Sequence, residues 1–422
     1  MHASVSVEVF SALEPLVPGE AVVAERFLHP RRGPVATPAA ALLAADLRNR
    51  GVNARSSTLA GGTLPGGPQG SAVVHAVTYL ARDASAVGFA VAVDHRDTDV
   101  SATVREVVGA WTGVLRTRRL LLAAVEPACG GTQRALGMAA RERGRMPRLL
   151  GPLSANPFTM AELHAQGAIA VEDLDDVPPS ATVMFPAHGV PLAVQAEAAA
   201  LGLSVVDATC PLVSEVQQEI RELAGRGSTV LLVGRADHAV SAALLDQAPS
   251  ATVLVQTLDE ADRVEVDDSK RVAVVVAPGI PLAEATPVVA ALRSRFGWIV
   301  PQHPATYCYA ASDRYASVVS MATCSEVVLV AGAPDCADAR QVAGWVRTCG
   351  RPAHIVNALH DVRPEHIAGA SIVGTCAATS APPGLIDQLT HVLSGLGPLA
   401  TVGRTARTDL VGTAVTTVAP RP

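Results

Sequence analysis

The chain of 422 residues reads as an α/β protein: three small α/β domains following an N-terminal α/β extension. Three observations predict this. Short, almost wholly apolar runs end at Gly, Pro or a polar residue, as buried parallel strands do. Amphipathic stretches of helical period separate them, which implies βαβ units. The composition, 49% hydrophobic with only 3% aromatic residues, suits cores built from Ala, Val and Leu.

The runs "RLLLAAV" (119–125), "ATVMFPAH" (181–188), "STVLLVGR" (228–235), "RVAVVVAP" (271–278), "EVVLVAGA" (326–333), "AHIVNAL" (353–359) and "ASIVGTCA" (370–377) are the expected strands. Between them, "GTQRALGMAARERG", "LVSEVQQEIRELAGRG", "LAEATPVVAALRSRFG" and "CADARQVAGWVRTCG" are the expected helices. Residues 1–115 differ in character. "HPRRGPVATP" and "GGTLPGGPQGS" read as loops, "ATPAAALLAADLRNRG" as a helix and "VGFAVAVDH" as a strand, with no catalytic motif. The expected organisation is an extension over 1–115, domains over 116–205, 206–300 and 301–400, and a tail over 401–422.

A net charge of -6 supplies no overall basic footprint for nucleic acid. No apolar stretch reaches spanning length, and the first residues lack the pattern of a secretory signal, so a cytoplasmic protein with no membrane partner is expected. The seven cysteines are odd in number, widely spaced and free of CxxC pairs, which argues for reduced thiols. No GxGxxG or Walker segment announces a nucleotide.

Three cysteines stand apart by context. Cys129 in "EPACGGTQRAL", Cys210 in "DATCPLVSEV" and Cys308 in "PATYCYAASDR" each lie just before a helix or just after a strand. A helix N-terminus offers N–H groups and partial positive charge, which favour a thiolate. For any one of them, packing, metal ligation and a reactive thiol remain open. Cys324, Cys349 and Cys376 sit in apolar or helical patterns and read as core or surface thiols.

The segments "CGGTQRAL", "FPAHGVP", "DATCPLVSEV", "YCYAASDRYASV" and "TSAP", in this order over about residues 118–395, resemble the 4-hydroxy-3-methylbut-2-enyl diphosphate reductases. The resemblance implies three α/β domains in pseudo-threefold arrangement around a central 4Fe-4S cluster held by Cys129, Cys210 and Cys308. It further implies an open iron that takes the substrate hydroxyl, ferredoxin or flavodoxin as reductant, and reductive loss of that hydroxyl as water.

The resemblance also locates departures. Of three family histidine positions, two match His188 and His238, while the first falls on Ala155. Ser380 matches a late serine, the proton-relay glutamate falls on Val240 and its threonine partner near Pro278. The pocket's SxN becomes Cys336 and Asp338. The expected substrate-binding residues are therefore His188, His238, Cys336, Asp338 and Ser380, and the candidate proton donors His188, His238, Asp237 and Asp338. An altered substrate of specialised metabolism is expected. The alternatives are a true member of the isoprenoid route, a non-catalytic carrier or sensor with Cys336 as a fourth ligand, and a thiol protein pairing Cys210 with a histidine base.

Overall fold

Four β-sheets, each flanked by helices, carry the computed structural model, which describes residues 5–12, 16–60, 72–81, 83–123, 126, 128–142, 147–179, 181–267, 271–408 and 414–420. The chain divides into two units, residues 1–124, 317–405 and 416–422 in one and residues 125–316 and 406–415 in the other.

The first unit holds the N-terminal sheet, with strands ordered Ser6–Ala12, Ala72–Leu80, Ala86–Asp94, Gly33–Ala36, Glu20–His29 and Asn53–Ala60. Helices Ala40–Asn49 and Thr98–Gly113 pack on it. The second helix starts because the Asp97 side chain accepts the Val100 N–H. It buries Val104, Val107, Val108 and Trp111, the i, i+3, i+4, i+7 stripe of one face. The Trp111 indole N–H reaches Asp46 Oδ2 at 3.0 Å, so the largest side chain in this core leaves no buried donor unpaired.

One expected loop is corrected here. Within "HPRRGPVATP", strand Glu20–His29 turns into Gly33–Ala36 as a hairpin with His29 opposite Gly33. His29 Nδ1 accepts the N–H groups of Arg31 and Arg32 at 3.1 and 3.2 Å, and Gly33 takes φ +69°, so Pro30 falls within the turn and Pro34 just after it. The second expected loop, "GGTLPGGPQGS", lies outside the described residues.

One strand order recurs in three sheets. In the second unit, a parallel sheet runs Ile169–Val171, Arg148–Leu150, Thr182–Phe185, Ser204–Asp207, and another runs Thr252–Val255, Thr229–Val233, Val272–Val276, Ile299–Val300. Each places its second strand outside the first, then the third and fourth on the other side. In the first unit, Ala353–Val356, Val327–Ala331 and Ile372–Ala377 repeat that order, but the fourth place goes to Arg118–Ala123. This strand, which opens the segment expected as the first domain, pairs Leu120 with Val373 and with Thr401. The segment expected as a C-terminal tail supplies the next two strands of that sheet, Leu399–Thr408 and Ala414–Pro420.

The same unit stacks His354, on strand Ala353–Val356, against His366, with ring centroids 4.1 Å apart and planes 13° from parallel. Burial holds His354 below its ordinary value, helped by Arg347 and opposed by Glu365. Burial also lowers His366, then His354 and Arg363 lower it further against Glu365 and Asp361. The Arg363 N–H donates to His366 Nδ1 at 3.4 Å, which requires that nitrogen to be unprotonated. The folded chain therefore binds fewer protons here than the unfolded chain. Its stability contribution is complete above the ordinary histidine value and is lost as pH falls below it. Between about pH 7.5 and about pH 5.5, the melting temperature of His366→Gln should fall less than that of the unsubstituted chain; equal slopes would refute the coupling.

Candidate functional site

Cys210 is placed by three local bonds. Strand Ser204–Asp207 ends in Asp207, whose Oδ1 accepts both the N–H (2.8 Å) and the hydroxyl (2.5 Å) of Thr209. The Cys210 N–H then donates to the Ala187 carbonyl at 2.9 Å, and Pro211 opens helix Pro211–Gly225 at a position where its missing N–H costs nothing. Cys210 is thus the N-cap residue, yet its side chain makes no capping bond. Cys129 stands in the same place before helix Gly130–Arg141, exposed and with its thiol likewise unused as a cap. Cys308 immediately precedes helix Tyr309–Thr323.

Gly131 shows that two of these thiols converge. A Cβ added there would lie 3.1 Å from Cys210 Sγ and 3.7 Å from Cys129 Sγ. Burial pushes the Cys308 thiol up, against N–H groups of Gly279, Ala311 and Ala310 directed at its sulfur, and the nearby Cys129 raises it further. Two of the three cysteines singled out in the sequence therefore face the same glycine, and Cys308 stands within electrostatic reach of Cys129. Among the described residues, no three His, Cys, Asp or Glu side chains close on one point as the ligands of a single ion would. Three soft thiol donors and the backbone N–H groups around Cys308 have the chemistry of an iron–sulfur cluster's ligand set, in which each thiolate takes its own iron.

His188 and His238 flank this region in opposite tautomers. His188 Nδ1 lies 3.1 Å from the Gly189 carbonyl, which can only accept, so the ring carries its proton there and leaves Nε2 as an acceptor. His238 Nδ1 instead accepts the Val240 N–H at 3.3 Å, which leaves Nε2–H as a donor. Burial lowers both histidines: the Gly189 bond opposes the shift at His188, where His238 adds to it, and at His238 Arg235 adds while Asp237 opposes. The pair is neutral, one donor and one acceptor. Gly279, at φ +95°, has space for a Cβ only 3.3 Å from His238 Nε2, so one glycine serves both Cys308 and His238.

Val240 is buried in the core beneath this helix start, and Asp237 is exposed beside His238. Ala155 is exposed. The sequence reading missed Gln217, 7% exposed, whose Nε2 has no hydrogen-bond partner among the described residues and points at the Gly189 turn. Its signal was available: Gln217 sits inside the stripe Val213, Val216, Ile220, Leu223 that its helix buries.

Cys336, Asp338 and Ser380 come together in the first unit. Cys336 caps helix Ala337–Thr348, and Asp338 Oδ2 accepts the Thr379 N–H at 2.6 Å. The Ser380 hydroxyl oxygen accepts the Ala333 N–H at 2.9 Å. Burial, the largest influence on Cys336, pushes its thiol up. The Ser380 hydroxyl and the N–H groups of Ala339 and Asp338 outweigh it and hold the thiol below its ordinary value, while the Asp338 carboxylate opposes them. Of the other thiols, Cys376 is buried, Cys349 half-buried and Cys324 exposed.

Among the described residues, no helix is long and apolar enough to cross a membrane. The sequence profile of the family described as LytB protein matches residues 120–394. The 4-hydroxy-3-methylbut-2-enyl diphosphate reductase 2 of Mycobacterium bovis is 34% identical over 302 residues, 69% of this chain and 91% of that protein. The 4-hydroxy-3-methylbut-2-enyl diphosphate reductase of Ralstonia nicotianae is 33% identical over 306 residues, 71% of this chain and 92% of that protein. The solved E-1-hydroxy-2-methyl-but-2-enyl-4-diphosphate reductase of Plasmodium falciparum superposes with a TM-score of 0.63 at 21% identity, covering 68% of this chain and 92% of that one, a likeness of fold. A profile that spans most of the chain and relatives one-third identical along nearly their whole length place it in one family. The chain belongs to the LytB protein family, the oxidoreductases named 4-hydroxy-3-methylbut-2-enyl diphosphate reductases.

Proposed function

We propose that the chain removes a hydroxyl group reductively from a small allylic or related alcohol of specialised metabolism, and that this substrate lacks the diphosphate named in its relatives. The overall change is R–OH plus two electrons and two protons giving R–H plus water. Ferredoxin or flavodoxin would deliver the electrons in a cytoplasmic setting.

Cys129, Cys210 and Cys308 would hold a 4Fe-4S cluster, and the observation that carries this is the convergence of the Cys210 and Cys129 thiols on Gly131, with Cys308 within electrostatic reach of Cys129. When bound, the cluster supplies single electrons and a Lewis-acidic iron for the hydroxyl oxygen. The remaining work falls to side chains. His238 offers an Nε2–H donor and His188 an Nε2 acceptor, a neutral pair suited to orienting an alcohol. Val240 carries no proton, so the one that leaves with water would come from the imidazolium form of His238, which the exposed Asp237 beside it favours and burial opposes, and which returns to the neutral ring on giving it up. Cys336, Asp338 and Ser380 would be the further substrate-binding residues that the family resemblance implies.

Anaerobic purification tests the reading. A brown protein with about four irons and four sulfides per chain is expected, with an electron paramagnetic resonance signal that shifts when a hydroxylated allylic ligand is added. Iron-free protein after reconstitution, or a signal indifferent to every hydroxylated ligand, would overturn it.

A further inference from the structure

We infer that Glu219 is a positioning residue that sets Cys308 relative to Cys210, with Arg134 acting likewise between Cys129 and Cys210; the functional consequence rests on the cluster reading above. Glu219 lies on helix Pro211–Gly225, which Cys210 caps. Its Oε1 accepts the His303 N–H at 2.6 Å and its Oε2 accepts the Thr306 hydroxyl at 2.6 Å. Both carboxylate oxygens of one side chain are therefore committed to the turn Pro304–Thr306, which ends two residues before Cys308. Such charge-assisted bonds are short and strong compared with neutral ones.

A second tie explains why the turn needs this one. Gln302, 2% exposed, accepts the Val276 N–H at 2.8 Å and donates to the Thr306 carbonyl at 3.1 Å. That links the turn to strand Val272–Val276, whose continuation brings the Gly279 N–H to the Cys308 sulfur. Gln302 thus fixes Cys308 to its own sheet, and Glu219 fixes it to the helix of another cysteine. Across the other gap, Arg134 on helix Gly130–Arg141 donates from Nη1 to the Ala208 and Thr209 carbonyls at 3.3 and 3.2 Å, directly before Cys210. One charged side chain spans each gap between successive cysteines. A rigid inorganic group tolerates only small errors in its ligands, and residues that orient ligands matter nearly as much as the ligands themselves.

The test compares Glu219→Ala, Glu219→Gln and Thr306→Val with the unsubstituted full-length chain. Chelator-driven loss of iron and sulfide should be about tenfold faster or more in Glu219→Ala, with Thr306→Val shifted the same way and Glu219→Gln, which keeps one acceptor, in between. In the iron-free protein, alkylation of Cys308 should accelerate by about tenfold while that of Cys129 stays unchanged, a selectivity that general unfolding would not produce. Unchanged cluster loss and unchanged Cys308 alkylation in both Glu219→Ala and Thr306→Val would overturn the inference. If the unsubstituted chain takes up no iron and sulfide, the cluster reading falls, and Cys308 alkylation still decides whether Glu219 places that residue.

Discussion

Cys210→Ser, purified without oxygen, is expected to retain less than about a tenth of the iron and sulfide of the unsubstituted chain, and to lose reductive turnover by on the order of a thousandfold or more. A serine oxygen is a hard ligand of high pKa, whereas iron–sulfur clusters select soft thiolates. The local scaffold gives the substituted residue no way to move aside, because the Cys210 N–H is bonded to Ala187 and the Asp207 turn and Pro211 hold the residues on either side. Gly131→Val should act in the same direction without replacing a thiol, since even the Cβ would reach to 3.1 Å from Cys210 Sγ. Cys376→Ser, at a thiol buried in the sheet of the other unit, should keep its iron and so exclude a general thiol effect. Full iron retention by Cys210→Ser would refute its assignment as a ligand.

The parts legible in the sequence were those encoded by local pattern. Apolar runs such as "RVAVVVAP" predict buried strands because all five residues of Val272–Val276 are covered on both faces. Pairing was not legible in the same way: nothing within "RLLLAAV" tells whether it joins the sheet that follows it or one built two hundred residues later. Apart from "VGFAVAVDH", which lies in strand Ala86–Asp94, the N-terminal strands hid for a different reason. Asn53–Ala60 is an edge strand with several exposed positions, and its polar residues leave no apolar run to mark it. At the site, the cysteines and histidines were found from short motifs, while Glu219 and Arg134 were not. A charged residue on a helix ordinarily faces water, and only the fold shows that these two reach backbone and hydroxyl groups beside a cysteine.

Turnover of 4-hydroxy-3-methylbut-2-enyl diphosphate with a strong reductant is expected to be slow beside a relative assayed in parallel, and Asp338→Asn combined with Cys336→Ser should improve it. Two effects act together. The Asp338 carboxylate is held in place by the Thr379 N–H, and two residues before it Ser380 and two N–H groups hold the Cys336 thiol below its ordinary value. His188 and His238 are both pushed toward the neutral form by burial, which weakens them as cationic partners for a phosphate. In the pose that the family resemblance assigns, a phosphate charge about 4 Å from Asp338 would cost on the order of 4 kcal/mol at an effective dielectric of 20. Salt and solvent reduce that figure at a half-exposed group, so kcat/KM of the double variant should rise by about tenfold to a thousandfold. An uncharged allylic alcohol should gain nothing from the same changes, because it carries no charge for Asp338 to repel. Turnover of the diphosphate by the unsubstituted chain at the rate of its relative would return it to the isoprenoid route and refute the altered substrate. A double variant no better than the parent would show that Asp338 and Cys336 do not face the ligand.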